Sequence, residues 1–228
     1  MHIHEFGNKD NPVILLLPGT MCYWKGNFGN VIDELAKDFF VAVVAYTGFD
    51  EEDKEDYQSV SDETHRIEEY VSQNYGGHIR AAYGCSLGGT FVAHLVSRGK
   101  IQIDFGIIGS SDLDQAGELK ASLMAAPDPY NKAFVAITGR DKFDMSFISR
   151  ESLKRQFKSD LTTPLPKGID NKNTEIHIFY AKKMGEKYLE RYRAYFQDPI
   201  IHEQDMRHEE FLGVYPKDWC NLVKEICL

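Results

Sequence analysis

Short, continuous apolar runs alternate along the chain with segments whose apolar residues recur at helical spacing. Pro12-Val13-Ile14-Leu15-Leu16-Leu17, closed by Pro18-Gly19-Thr20, has the pattern of a strand buried on both faces, which implies a parallel sheet. From Trp24 to Asp38 the apolar positions Phe28, Val31, Ile32 and Leu35 predict a helix, and Phe39 to Tyr46 a second buried strand. Ser61 is a candidate N-cap for a helix carrying Ile67, Tyr70 and Val71, which Gly76-Gly77 ends before a strand over Ile79 to Tyr83. A helix over Leu87 to Arg98 and strands over Ile103 to Ile108 and Glu175 to Tyr180 continue the alternation. It closes on an amphipathic helix with Trp219, Leu222, Val223 and Ile226. The expected class is α/β, one mostly parallel sheet with helices on both faces.

Between the strands ending near Gly109 and starting near Glu175 lies an insertion of roughly 60 residues, longer than an ordinary connection and helical in pattern. It is a candidate helical cap or lid over about residues 112–172, within a single domain spanning 1–228. The acidic run Asp50 to Asp56 reads as a solvated loop.

Composition narrows the partners. With 228 residues, 43% of them hydrophobic, the chain can bury a core without staples. A net charge of −9 argues against nucleic acid or an anionic membrane surface, which call for clustered Lys and Arg. No apolar run approaches the roughly 20 residues that span a bilayer, and Met1 to Phe6 lacks the pattern of a signal peptide, so a cytoplasmic location is expected. Cys22, Cys85, Cys220 and Cys227 form no CxxC pair or metal-ligand spacing and read as reduced thiols, with no metal site expected. Cys85 reads as a small packed residue rather than a reactive thiol.

Chemistry concentrates at Gly84-Cys85-Ser86-Leu87-Gly88, which matches G-x-S-x-G between a predicted strand and a predicted helix. That setting raises a serine on a sharp turn above the strand end, at the positive end of the following helix. A serine hydroxyl needs a base to become a nucleophile. Of eight histidines, His2, His4, His177 and His202 fall on predicted strands, His65 and His94 on helices, and His78 at the wrong end of the elbow strand. His208 instead lies after the strand-like Pro199 to His202 and before the terminal helix, on the edge where open α/β sheets assemble their sites.

An orienting acid should lie between Ser86 and His208 in the chain. Glu186, after the strand Glu175 to Tyr180 and beside Gly185, is the first choice; Asp112 is the main rival and Asp205 a weaker one. Oxyanion donors are expected from the backbone N–H groups of Leu87 and of Thr20 in the turn after the first buried strand.

Leu17-Pro18-Gly19-Thr20, Tyr83-Gly84-Cys85-Ser86-Leu87-Gly88-Gly89, the late His208 and the insertion together resemble the α/β-hydrolase superfamily over nearly the whole chain. The resemblance implies a cofactor-free ester or thioester hydrolase whose insertion forms a cap, acting on a small molecule through an acyl-enzyme. Ser86, Glu186 and His208 match its triad positions. Pro18-Gly19 stands where many members have His-Gly, and Glu where Asp is commoner. Because that superfamily also holds acyltransferases, lyases and non-catalytic receptors, a non-hydrolytic enzyme or a small-molecule binding protein is the alternative.

Overall fold

The apolar runs become the middle of the sheet. In the computed structural model, which describes residues 1–111, 113, 115–126 and 144–228, β2 (Val13–Leu17), β3 (Phe40–Ala45), β4 (His78–Cys85) and β5 (Gln102–Gly109) lie side by side, with every residue of β3 buried. β6 (Glu175–Ala181) and β7 (Ile200–Gln204) extend one side, and β1 (His2–Phe6) closes the other, giving the order β1-β3-β2-β4-β5-β6-β7. Only β1 runs antiparallel to its neighbour; the other pairings are parallel. Registers Leu17↔Gly84, Gly84↔Ile108 and Cys85↔Gly109 bring the C-terminal ends of β2, β4 and β5 to one level, with β4 between the other two.

Helices cover the sheet as the apolar periodicity requires. α3 (Val60–Asn74) starts two residues earlier than expected, because Ser59, not Ser61, is the cap. The Ser59 hydroxyl accepts the Asp62 N–H at 3.1 Å and donates to the Asp62 carboxylate at 2.6 Å, so one side chain satisfies an orphan donor and is itself held. α4 (Leu87–Arg98) is buried from Leu87 through Val96 and packs on β2, β4 and β5. The helix expected over Trp24 to Asp38 is instead two short pieces, α1 (Trp24–Phe28) and α2 (Ile32–Leu35). Gly26, Gly29 and Asn30 are poor helix formers, and the Asn27 amide oxygen accepts the Gly19 N–H at 2.8 Å instead of capping a continuous helix.

The insertion begins with α5 (Glu118–Met124) and reaches α6 (Arg150–Thr162). α6 turns Ser152, Gln156 and Ser159 inward on one face: Ser152 Oγ accepts the Tyr57 N–H at 3.0 Å, and Ser159 Oγ accepts the Val60 N–H at 3.2 Å. These partners follow β3, so α6 stands at the C-terminal edge of the sheet, the edge that carries Ser86. After α6, Gly168 and Ile169 donate to the Ala194 and Tyr195 carbonyls at 3.1 and 2.7 Å, back at the N-terminal edge. The described part of the insertion therefore leaves the site's edge after α6.

Three acidic residues of the run read as a solvated loop are held by polar partners: Asp50 buried, Asp53 half-buried and Asp56 exposed. Asp50 is 6% exposed and bonds His4 at 2.6 Å, Asp53 accepts the Gly48 N–H at 2.8 Å, and Asp56 accepts the Ser152 hydroxyl at 3.0 Å. That loop is a polar hinge between β1, the sheet and the insertion. Past β6, a 3₁₀ turn at Lys182–Met184 leads to α7 (Glu186–Tyr195), and beyond β7 follow α8 (Glu210–Val214) and α9 (Pro216–Cys227). Among the described residues no disulfide is formed. Among the described residues no helix is long and apolar enough to cross a membrane.

Close backbone approach limits what the start of α4 can tolerate. A β-carbon on Gly88 would sit 2.0 Å from the Leu17 carbonyl oxygen, and one on Gly84 2.0 Å from the Gly88 carbonyl. Gly88→Ala should therefore force a backbone shift and lower stability by about 1–3 kcal/mol or more. In thermal unfolding this reads as roughly 2–4 °C per kcal/mol for a chain of this size. An unchanged melting temperature would refute the contact.

Candidate active site

Ser86 sits where β4 ends and α4 begins, at φ 50° and ψ −112°. For a residue with a β-carbon this is a strained conformation, worth on the order of 1–3 kcal/mol, which persists only where the surroundings over-determine it. They do so here. The Ser86 N–H donates both to the Gly109 carbonyl and to the Glu209 carboxylate, each at 2.9 Å. Beneath, Gly84 and Gly88 let the turn close on itself and on β2, and Gly19 packs against it so that a β-carbon there would meet Ser86 Cβ at 3.5 Å.

The loop after β2 thus lies against the elbow, and its amides can be accounted for one by one. Pro18 has none. Gly19 N–H goes to Asn27 at 2.8 Å, Met21 N–H to the Gln156 side-chain oxygen at 2.5 Å, and Cys22 N–H to the Gly19 carbonyl at 3.2 Å. Among the described residues, the Thr20 N–H has no acceptor, and neither does the Leu87 N–H in the first turn of α4. Two unpaired donors flanking a strained serine, one of them at a helix N-terminus, make a place where negative charge is favoured.

Gln156 of α6, completely buried, was not anticipated. Met21, at φ 57°, presents its N–H to that side chain, while the Gln156 Nε2 has no partner among the described residues. Nothing in the sequence marked it, since its partner is 135 residues away.

His208 is exposed on the loop between β7 and α8. No hydrogen bond or ion pair joins it, or Glu186, to another described residue. Glu186 opens α7, exposed, after Gly185 at φ 100°. The structure therefore does not bring the Glu186 carboxylate onto His208, although it does bring their loops together: the Lys183 N–H donates to the Met206 carbonyl at 3.1 Å. Asp205 is exposed and lies 3.9 Å from Lys183. Asp112 falls outside the described residues. Of the other histidines, His4 pairs with Asp50, His78 with Asp104, and His177 with both His202 and Glu175. His94 is buried, and that burial pushes its pKa down to about 4.

Glu209 is the acidic group that meets Ser86. The residue is only partly buried, but its carboxylate is turned inward, accepting the Ser86 N–H and, at 3.3 Å, the Tyr83 hydroxyl. Its own N–H donates to Ser110 Oγ at 3.1 Å, and its backbone holds φ 53°. Burial raises the Glu209 pKa, against the opposing pull of His208, the Ser86 N–H, Cys85 and Tyr83. Burial, seconded by Glu209, likewise keeps Tyr83 and Cys85 protonated far above their ordinary values, which makes Cys85 an inert packed thiol. Tyr83 reaches Glu209 because Gly109, where a β-carbon would fall 2.1 Å from its hydroxyl, leaves room, and because Trp219 fixes its ring edge-on at 4.7 Å. Adjacency to His208 was the available signal in sequence, yet a second carboxylate, Glu210, follows directly.

With this geometry the chain can be set beside known structures. A putative α/β-hydrolase family protein from Desulfitobacterium hafniense superposes with a TM-score of 0.80 over 99% of both chains at 20% identity. The chain has the α/β-hydrolase fold. A marine microorganism esterase matches at TM-score 0.72 and 12% identity, covering 100% of this chain and 98% of its own. So does 1H-3-hydroxy-4-oxoquinoline 2,4-dioxygenase, at 0.69 and 16%, covering 99% and 95%. No protein-family model and no curated protein matches the sequence. An esterase and a dioxygenase on one α/β-hydrolase scaffold show that the fold leaves the reaction open, so function must be argued from the site.

The Gln156 contact generates a test. Gln156→Leu removes the acceptor of a buried N–H while keeping the side chain's bulk, so it should destabilise by about 1–3 kcal/mol. Chemical denaturation would show a lower midpoint at an unchanged slope. A midpoint equal to wild type would mean that the Met21 amide finds another acceptor.

Proposed function

We propose that this α/β-hydrolase-fold protein is a serine hydrolase that cleaves a carboxylic ester or thioester of a small molecule. Ser86 is the nucleophile, His208 the general base, and the Thr20 and Leu87 N–H groups the oxyanion donors. The observation that carries the reading is Ser86 held at φ 50° between two amides that have no acceptor among the described residues. A serine strained into that position gains nothing structurally from the strain.

In the proposed reaction Ser86 Oγ attacks the acyl carbon while His208 takes its proton, and the carbonyl oxygen becomes an oxyanion facing the two amides. The tetrahedral intermediate collapses, the carbon–oxygen or carbon–sulfur bond breaks, and His208 returns the proton to the departing alcohol or thiol. Water, deprotonated by His208, then attacks the acyl-serine and releases the acid with Ser86 regenerated. An exposed imidazole without a fixed partner suits this role, because catalytic hydrogen bonds often tighten only around bound substrate.

For the carboxylate that orients His208, Glu186 remains our proposal, with Asp112 as rival. Its support is the Lys183–Met206 bond, which joins the loop before Glu186 to the loop before His208, together with the bend at Gly185.

A fluorophosphonate probe should label the wild-type protein covalently, and Ser86→Ala should abolish labelling. His208→Ala should cut ester turnover nearly as far as Ser86→Ala, a loss that can approach about a millionfold in a serine protease. Absence of labelling in the wild type would favour a binding protein that keeps the pocket without turnover. Between the acids, Glu186→Gln should cost roughly 10⁴ in turnover, the effect of neutralising a triad acid, and Asp112→Asn far less. The reverse ranking would transfer the role to Asp112.

A further inference from the structure

We infer that Glu209 is a positioning residue: its carboxylate clamps the segment that carries His208 to the turn that carries Ser86, and so sets the relation between base and nucleophile. The inference rests on the reading of Ser86 and His208 given above. Ser86 follows β4 and His208 follows β7, two strands separated in the sheet by β5 and β6. Glu209 bridges that separation directly. Its Oε1 accepts the Ser86 N–H at 2.9 Å, its Oε2 accepts the Tyr83 hydroxyl at 3.3 Å from the same strand, and its N–H reaches Ser110 just past β5. Three strand ends are thus joined through one residue, and His208 is the residue immediately before it.

Its chemistry argues against a purely structural role. A carboxylate accepting a backbone N–H makes a charge-assisted bond, which is shorter and stiffer than a neutral one. Yet burial raises the pKa of this carboxyl, so ionising it costs more in the folded protein than in the unfolded chain. Among the described residues, Tyr83 and Cys85 of β4 and His208 of the same loop are the titratable groups facing it, and burial keeps Tyr83 and Cys85 neutral. Among the described residues no Lys or Arg is paired with it. A group that served stability alone would be better replaced by its amide; one that positions a nucleophile is retained in spite of its burial. Its backbone at φ 53° points the same way, since the turn aims the side chain back at Ser86.

The sign of the linkage follows. A pKa raised in the fold gives stability that is fully present below the unfolded carboxyl value, roughly 4.3, and is lost as pH rises through the folded one. Relative to Glu209→Gln, the wild type should therefore gain stability as pH falls from neutrality. At pH 8, Glu209→Gln should melt no lower than the wild type.

The test pairs that stability measurement with the rate of Ser86 labelling by a fluorophosphonate. Glu209→Gln should slow labelling by about 10²-fold, the scale expected of a displacement near 1 Å at a reacting group, without a lower melting temperature at pH 8. Glu209→Asp, which keeps the charge on a shorter arm, should recover part of the rate. Labelling within twofold of wild type, or a rate that falls only in step with melting temperature, would overturn the clamp.

A spectroscopic readout separates this inference from the hydrolase reading. The Ser86 amide proton resonance in the wild type should titrate with a midpoint above the ordinary carboxylate range, and Glu209→Gln should remove that transition. Were wild-type Ser86 not labelled at all, the hydrolase reading would fail, and this titration alone would decide the clamp. A Ser86 amide indifferent to pH, or one that titrates equally in Glu209→Gln, would overturn it.

Discussion

The approach of the α4 backbone to the carbonyl end of β2 is the constraint from which the site follows. Gly88 lies so close to Leu17 that no side chain fits between them, and Gly84 lies as close to Gly88. A chain leaving β4 must then reverse within two residues. Only a positive φ at Ser86 makes the reversal, which lifts its hydroxyl above the sheet and points the first amides of α4 toward it. The strain at Ser86 is offset by the burial of α4, whose residues Leu87 to Val96 pack on three central strands. At about 1.5–3 kcal/mol for each large apolar side chain buried, that packing exceeds the strain several times over.

The central strands and the elbow were legible in sequence because their information is local. A run such as Val13–Leu17 or Phe40–Ala45 states its own burial, and the glycines at 84 and 88 state their own turn. What escaped was set by partners far along the chain. The acidic run looked solvated because Asp50 finds His4 46 residues earlier, and Asp56 finds Ser152 96 residues later. The break between α1 and α2 depends on Asn27 serving the Gly19 amide, a demand that helical periodicity does not register. Histidines could be sorted by element, which isolated His208, whereas the many carboxylates of an acidic chain could not. Choosing among Glu186, Asp205, Glu209 and Glu210 requires knowing which way each side chain turns.

The insertion takes part in the site through its backbone partners. Gln156 occupies the Met21 amide, and Met21 adjoins Thr20. With Gly19 and Cys22 also bonded, the loop has its donors assigned so that Thr20 is left over. Among the described residues the Thr20 amide is thus left without an acceptor while its neighbours are occupied, and one of those occupants belongs to α6. Ser152 and Ser159 hold the same helix to the segment after β3, so α6 is tied at three points along one face. A displacement of α6 would be felt at the loop after β2 before it reached the sheet, because the sheet is buried and close-packed while this contact is a single polar bond.

The loops that carry Ser86 and His208 are held together by comparably few bonds. Hydrophobic packing places β4 and β7 within one sheet but fixes a loop beyond a strand end only loosely, since loops carry few apolar contacts. The distance between His208 and Ser86 must then be set by polar bonds between the strand ends themselves. Glu209 supplies the described ones: to Ser86 and Tyr83 through its carboxylate, and to Ser110 through its N–H. Gly109 and Trp219 extend the arrangement inward, the first by leaving room for the Tyr83 hydroxyl and the second by fixing its ring. A line of contacts thus runs from α9, through the middle of the sheet, to the amide of Ser86. The C-terminal helix, remote from any chemistry, therefore has a physical route by which its packing governs the geometry of Ser86.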